Sequence, residues 1–254
     1  MCRHLAYLGP AISLAELLIA PEHGLFRQSW APRRQRYGTV NADGFGVGWY
    51  APGDPVPARY RRDRPIWGDP NLLDLARVVR SGAVLAAVRS GTEGMGFAEA
   101  AAAPFASDRW LFSHNGAVPG WPGSLHGLAA ALPPEDLVGL EAPTDSALLW
   151  AYAKHRLAAG DPLPVALTAT VQQTAADALG ARLNLLATDG TTIVATVVGD
   201  TLSWRRASPA GVLVASEPTD DGPGWHEVPD NSLLVATADA VTVNPLALTV
   251  EVVS

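Results

Sequence analysis

Six apolar segments of strand length, residues 183–188, 192–198, 201–206, 212–216, 233–236 and 241–243, follow one another with no helical stretch between them. Turn pairs such as Asp189-Gly190 and Gly199-Asp200 place them at hairpin spacing, which predicts antiparallel pairing. The first part of the chain is mixed. Ser13-Leu14-Ala15-Glu16 is a capping-box pattern that opens a short helix ending near Ala20-Pro21. Asp69-Pro70 supplies an N-cap and a first-turn proline for a helix over 72–80, closed by Gly82. Residues 84–89 and 110–114 read as buried strands, 144–159 as a strong helix ended by Gly160, and 165–179 as a further helix. Strands and helices are grouped instead of alternating, so a doubly wound nucleotide-binding fold is a poor fit. The pattern predicts an α+β fold in one domain, residues 2–254, with two mostly antiparallel sheets covered by helices.

Composition removes several functions. The 254 residues carry a net charge of −7 and a sequence pI of about 5.3, which argues against a nucleic-acid partner. The apolar run at 82–88 is far shorter than the ~18 residues of a membrane span, and no basic stretch leads into a long apolar one at the start. The expectation is a soluble, cytoplasmic protein with no membrane association, of undetermined oligomeric state. One cysteine cannot build a disulfide or a cysteine-rich zinc site. The six histidines are scattered, so no metal and no cofactor are expected. All basic residues except Lys154 are arginine, and the runs Arg33-Arg34, Arg36 and Arg59 to Arg64 read as solvated loop faces. Gly44, Gly46 and Gly48 fail as a nucleotide fingerprint, because the third glycine comes one residue early. They read as a loop entering a strand with closely approaching neighbours. The segment 39–48 is also the candidate for a lid.

Cys2 is the chemically distinctive residue. Removal of the initiator methionine would place a thiol and a free α-amine on one residue, with reference pKa values of about 8.5 and about 7.7–8.0. The amine can then serve as base for its own thiol. A chance cysteine on a frayed end is the competing reading. Against it stands Leu5-Ala6-Tyr7-Leu8, which reads as a buried strand and would pin the terminus inside the fold.

With Arg3-His4-Leu5 after Cys2, then Asn41-Ala42-Asp43-Gly44, Val88-Arg89-Ser90-Gly91-Thr92, Ser113-His114-Asn115-Gly116 and Thr144-Asp145-Ser146, the chain resembles the class II glutamine amidotransferases, N-terminal-nucleophile (Ntn) hydrolases. The resemblance implies a four-layer αββα sandwich. It also implies catalysis by Cys2, an oxyanion hole from the Asn115 side chain and the Gly116 backbone N–H, and a glutamyl site formed by Arg89, Thr92 and Asp145. Judged alone, Asp145 would equally serve as a helix N-cap, and Asn115-Gly116 as an ordinary turn.

The chain departs from the large amidotransferases, which have Cys-Gly-Ile at the start and a histidine where Glu93 stands, and it has no room for their synthase domain. Ala31-Pro32-Arg33-Arg34-Gln35, Ile66-Trp67-Gly68-Asp69, Ala181-Arg182-Leu183-Asn184, Gly199-Asp200-Thr201-Leu202 and Ser216-Glu217-Pro218 resemble instead a small branch of the family. These are the actinobacterial γ-glutamyl hydrolases of ergothioneine biosynthesis. That resemblance implies a small-molecule γ-glutamyl substrate, γ-glutamyl-hercynylcysteine sulfoxide, whose cationic part the tryptophans, Asp220, Asp221 or Glu93 would hold. Hydrolysis of glutathione or glutamine, and a non-catalytic partner-binding subunit, are the alternatives. A free α-amine on Cys2 carries its own test. An uncleaved N-terminal tag should abolish activity and a C-terminal tag should not, and equal activity of both proteins would contradict the mechanism.

Overall fold

A computed structural model describes residues 2–91, 98–207 and 209–246. Among these described residues thirteen strands form two sheets. In chain order they are β1 (Arg3–Ser13), β2 (Phe45–Trp49), β3 (Ala58–Arg62), β4 (Arg80–Val88), β5 (Phe105–Ser107), β6 (Trp110–Ala117), β7 (Arg182–Thr188), β8 (Ile193–Val197), β9 (Ser203–Arg206), β10 (Val212–Ala215), β11 (His226–Glu227), β12 (Ser232–Ala236) and β13 (Val241–Pro245). The first sheet has the order β11-β9-β10-β1-β4-β2-β3 and the second β13-β12-β8-β7-β6-β5, with antiparallel pairing throughout. Helices α1 (Leu14–Leu18), α2 (Leu25–Gln28) and α3 (Pro70–Val78) pack on the first sheet. On the second lie α4 (His126–Ala130), α5 (Pro134–Val138), α6 (Asp145–Ala158) and α7 (Leu163–Asp177). The expected four-layer αββα arrangement is therefore present. Among the described residues no helix is long and apolar enough to cross a membrane.

Period-two alternation decides what faces what. On β1, Leu5 and Tyr7 point to the α1–α3 layer and pack with Leu14, Leu18 and Leu72. Ala6 and Leu8 point the other way and meet Leu111, Leu186 and Ile193 of the second sheet. By the same alternation Cys2 and His4 face the second sheet. On β6 the inward set is Leu111, Ser113 and Asn115, while Phe112 packs in the helical layer against Trp150. Both strands thus deliver alternate residues to one inter-sheet seam.

The glycines of β2 permit this seam. A Cβ on Gly46 would lie 2.3 Å from the Ala103 carbonyl oxygen, and one on Gly48 2.7 Å from Leu111 Cδ1. The expected close approach is correct, but the expectation of a lid over 39–48 is not met for its second half. Residues 45–48 belong to β2, hydrogen-bonded between β3 and β4 and buried.

Three further expectations need correction. The helix that begins at Asp69-Pro70 is capped as expected, Asp69 Oδ1 accepting from Asn71 N at 2.9 Å, but it ends at Val78. Gly82 is not its C-cap and lies within β4, where a Cβ would sit 2.5 Å from the Gly9 carbonyl oxygen. Arg59, Arg61 and Arg62 lie on edge strand β3 instead of a solvated loop. Arg61 is largely covered, its Nη1 donating to the carbonyls of Ala100 and Ala102 and pairing with Glu141. The space at Gly46 gives a stability test. Gly46→Ala should cost about 1–3 kcal/mol, a fall in Tm of several degrees, because backbone must move. Gly123→Ala, facing open space, should stay within about 0.5 kcal/mol.

Candidate active site

Cys2 stands at the head of β1, partly exposed in a small cleft whose walls include Arg89, Ser90, Gly91, Gly116 and Asp145. Its backbone N donates to Asn115 Oδ1 at 3.2 Å, so the first residue of one sheet is tied to the inner face of the other. Asn115 is fully buried. Facing an N–H fixes its oxygen toward Cys2, and its Nδ2 then points to Ser216 Oγ at 3.5 Å. Ser216 in turn accepts from His4 N at 3.0 Å and donates to His4 O at 3.2 Å. Asn115 and Gly116 sit inside β6, opposite Asn184 and Leu183 of β7, and not in a turn. Only glycine fits at 116, where a Cβ would lie 1.9 Å from the Arg182 carbonyl oxygen and 2.5 Å from His114 Nε2.

Arg89 follows β4 and is 7% exposed. Its backbone exchanges hydrogen bonds with the Asn41-Ala42-Asp43-Gly44 motif, Arg89 N donating to Gly44 O at 2.7 Å and Asp43 N to Arg89 O at 2.9 Å. Asp43 Oδ2 accepts from Gly91 N at 2.8 Å, and Arg89 Nη1 donates to Asp43 O at 3.3 Å. The motif therefore shapes the turn that carries Arg89, a role its sequence did not reveal.

Asp145 is buried, but it is not the N-cap of α6. Thr144 is, with Oγ1 accepting from Ala147 N at 3.1 Å. Asp145 is the first helical residue, where the partial positive charge of the helix end favours its carboxylate. Oδ1 accepts from Ser146 N at 2.7 Å and Oδ2 from Val118 N at 3.2 Å. The structure thus brings Cys2, Gly116, Arg89 and Asp145 to one cleft, with Asn115 buried and bonded to the nitrogen of Cys2. Thr92 and Glu93 lie outside the described residues.

Asp220 and Asp221 do not face this cleft. They line a separate groove, where Asp220 pairs with Arg205 and Asp221 with Arg33 and His23. Among the described residues Glu22, His23 and Asp221 bring ligand atoms within 4.8 Å of one another, but Asp221 is already held by Arg33. Arg33 and Arg34 keep their side chains in solvent-exposed pairs, while their backbone amides donate to the two oxygens of buried Glu217 at 2.8 and 2.7 Å.

The electrostatic surroundings of Cys2 rest on residues to which sequence reasoning gave no such role. Arg3 is wholly buried, with Nε donating to Gln35 Oε1 at 3.2 Å. Burial pulls its pKa down, and Glu217 and Asp200 oppose that pull. Burial likewise pushes the Asp200 carboxyl up, while Arg182 and Arg3 hold it back. Neighbouring His4 is fully buried, with Nδ1 at 3.2 Å from Ser113 Oγ. Burial, then the charge of Arg3 and then His114, lowers its pKa to about 3, so the ring is neutral at ordinary pH.

A two-sheet sandwich with the inter-sheet seam opening on a cysteine at position two defines a class. The chain belongs to the class-II glutamine amidotransferases, whose family model matches residues 24–213. It is 43% identical over 246 residues to the gamma-glutamyl-hercynylcysteine sulfoxide hydrolase of Mycolicibacterium smegmatis, covering 97% of this chain and 100% of that protein. Among solved structures it is similar to a glutamine aminotransferase class-II domain protein from Silicibacter pomeroyi, with TM-score 0.69, 27% identity and coverage of 97% and 100%. The glutamine phosphoribosylpyrophosphate amidotransferase of B. subtilis shares the fold at 15% identity and TM-score 0.68, with 98% of this chain matching 50% of that one.

Neutral, buried His4 makes stability fall in acid. Its folded value lies below the ordinary value of 6.5, so the unfolded chain binds the extra proton between those limits and stability drops as pH falls below about 6.5. At pH 5 the loss should reach about 2 kcal/mol. In His4→Asn, which retains a polar group toward Ser113, the fall in Tm between pH 7 and pH 5 should be smaller. An unchanged fall would show that His4 does not set it.

Proposed function

We propose that this chain hydrolyses a γ-glutamyl amide bond, releasing glutamate through a thioester on Cys2, and that its substrate is γ-glutamyl-hercynylcysteine sulfoxide. The observation that carries the reading is the placement of Asn115. Its Oδ1 accepts from the nitrogen of Cys2, which orients the base, and the same amide keeps its Nδ2, at 3.5 Å from Ser216 Oγ, next to the nucleophile as the oxyanion donor of this reading. The 43% identity to the named hydrolase over nearly the whole chain supports the substrate.

With Met1 removed, the Cys2 amine takes the thiol proton as sulfur attacks the γ-carbonyl carbon. Negative charge then moves onto the carbonyl oxygen, between Asn115 Nδ2 and the Gly116 N–H. Donors fixed before charge develops need no reorganisation, which makes each worth about 3 kcal/mol. The C–N bond breaks, the proton passes to the leaving amine, and water releases glutamate from the thioester. Arg89 pairs with the glutamyl α-carboxylate through its guanidinium fork. Asp145 accepts from the α-ammonium, and Thr92 adds a hydrogen bond.

Glutamate release should therefore be fast from γ-glutamyl-hercynylcysteine sulfoxide, slower from glutathione and glutamine, and absent in Cys2→Ala. Asn115→Ala should lower kcat about 10²- to 10³-fold. Preference for glutathione would keep the chemistry and change the substrate. Undiminished release by Cys2→Ala would contradict the Cys2 thioester, and no release from any of the three compounds, with Met1 shown absent, would leave a partner-binding subunit.

A further inference from the structure

The strand order divides the cleft in two. Arg89 at the end of β4 and Asp145 beside β6 lie on one side of Cys2, where the reading above puts the glutamyl group. On the other side β10 is the partner of β1 and β7 the partner of β6. There Arg182, opposite Ala117 in the β6–β7 register, shares the inward face of β7 with Asn184, which stands opposite Asn115. Its side chain is about one-fifth exposed and is fixed on three counts. Nε donates to Oδ2 of buried Asp200 at 3.2 Å. The Tyr37 ring covers the guanidinium at 4.2 Å. Gly199, at φ +85°, leaves room for the stem, since a Cβ there would lie 3.0 Å from Arg182 Cγ.

No described residue accepts from its Nη1 or Nη2. A guanidinium oriented through Nε, with both outer nitrogens unspent, presents the fork that pairs with a carboxylate. Tyr37 belongs to a segment that runs close to the cleft wall, for a Cβ on the next residue, Gly38, would lie 3.9 Å from Ser90 Oγ. A leaving group passing out on this side meets Arg182 at the rim of the oxyanion strand. When the leaving amine belongs to an α-amino acid, its carboxylate is one carbon from the scissile nitrogen.

We propose that Arg182 binds the carboxylate of the amino acid whose amine departs, so that γ-glutamyl amino acids are selected over simple γ-glutamyl amides. The inference rests on the hydrolase reading and adds the recognition of the leaving half. Asp200 and Tyr37 act as positioning residues, holding the fork in one orientation.

The test compares γ-glutamyl-alanine with γ-glutamyl-ethylamide, which differ only in that carboxylate, by kcat/KM for glutamate release. The protein should prefer γ-glutamyl-alanine by about 10- to 100-fold, the range of one charge-assisted pair. In Arg182→Met the ratio should collapse to about 1, and in Arg182→Lys, which keeps the charge without the fork, to an intermediate value. Tyr37→Leu removes a half-exposed ring that the fold does not need, and should cut the preference several-fold even where Arg182→Met fails to fold. A ratio of about 1 in the unmodified protein, or one unmoved in these variants, overturns the inference alone. No glutamate from either compound, with Met1 shown absent by intact mass, overturns the hydrolase reading and this inference with it.

Discussion

The hydrogen bond from Cys2 N to Asn115 Oδ1 joins the two sheets of the molecule at the residue we propose as nucleophile. A chain terminus is ordinarily the loosest part of a domain. Here it enters a central strand, with β10 on one side and β4 on the other, and the residues directly after it are buried completely. Ser216 closes the arrangement by bonding both backbone groups of His4 and approaching the Asn115 amide. The position of Cys2 is therefore set by sheet register and a polar seam.

That seam is expensive to bury. Arg3, His4, Asn115, Ser113, Ser216 and Glu217 are all at or below about 1% exposure, and each must find partners inside the fold. The charges are met by charges. Arg3 lies near Glu217 and Asp200, and Asp200 also binds Arg182. Glu217 spends its two oxygens on the backbone of the 33–34 loop, and Gln35 links Arg3 to Asn41. A buried pair of this kind adds little net stability over apolar packing, but removing one member leaves the other stranded. Its use here is geometric, since the network ties the loop over residues 31–41 to the strand that carries Cys2.

Much of the fold was legible because local rules and the final packing agree. The capping box at Ser13 forms, Asp69 and Pro70 start their helix, and Gly160 follows α6 at φ +98°. The hairpin run after Leu183 becomes the strands β7 to β10, β12 and β13 nearly where their apolar pattern lies. The misses occur where tertiary contacts overrule local preference. Residues 79 and 80 leave the helix because β4 begins there and pairs with β1 through Arg80 and Ser13. The β3 arginines look solvated by composition, but Glu141 and two carbonyls cover Arg61 at the sheet edge. The ordered motifs name five residues that the structure brings near one another, Cys2, Arg89, Asn115, Gly116 and Asp145, whereas the burial of Arg3 and the capping role of Thr144 were not legible. Nothing in a Cys-Arg-His start reveals that Glu217 and Asp200, more than 190 positions away, will flank the guanidinium.

The central claim is a covalent one, that the glutamyl group passes through the sulfur of Cys2. It is tested most directly by mixing the protein, its amino-terminal residue verified as Cys2, with a γ-glutamyl substrate, quenching in acid during turnover and locating the added mass by peptide mass spectrometry. The account predicts one glutamyl group on the peptide that begins at Cys2, lost on incubation at neutral pH. Glutamate release with no adduct at any quench time, or an adduct on another residue, would contradict it.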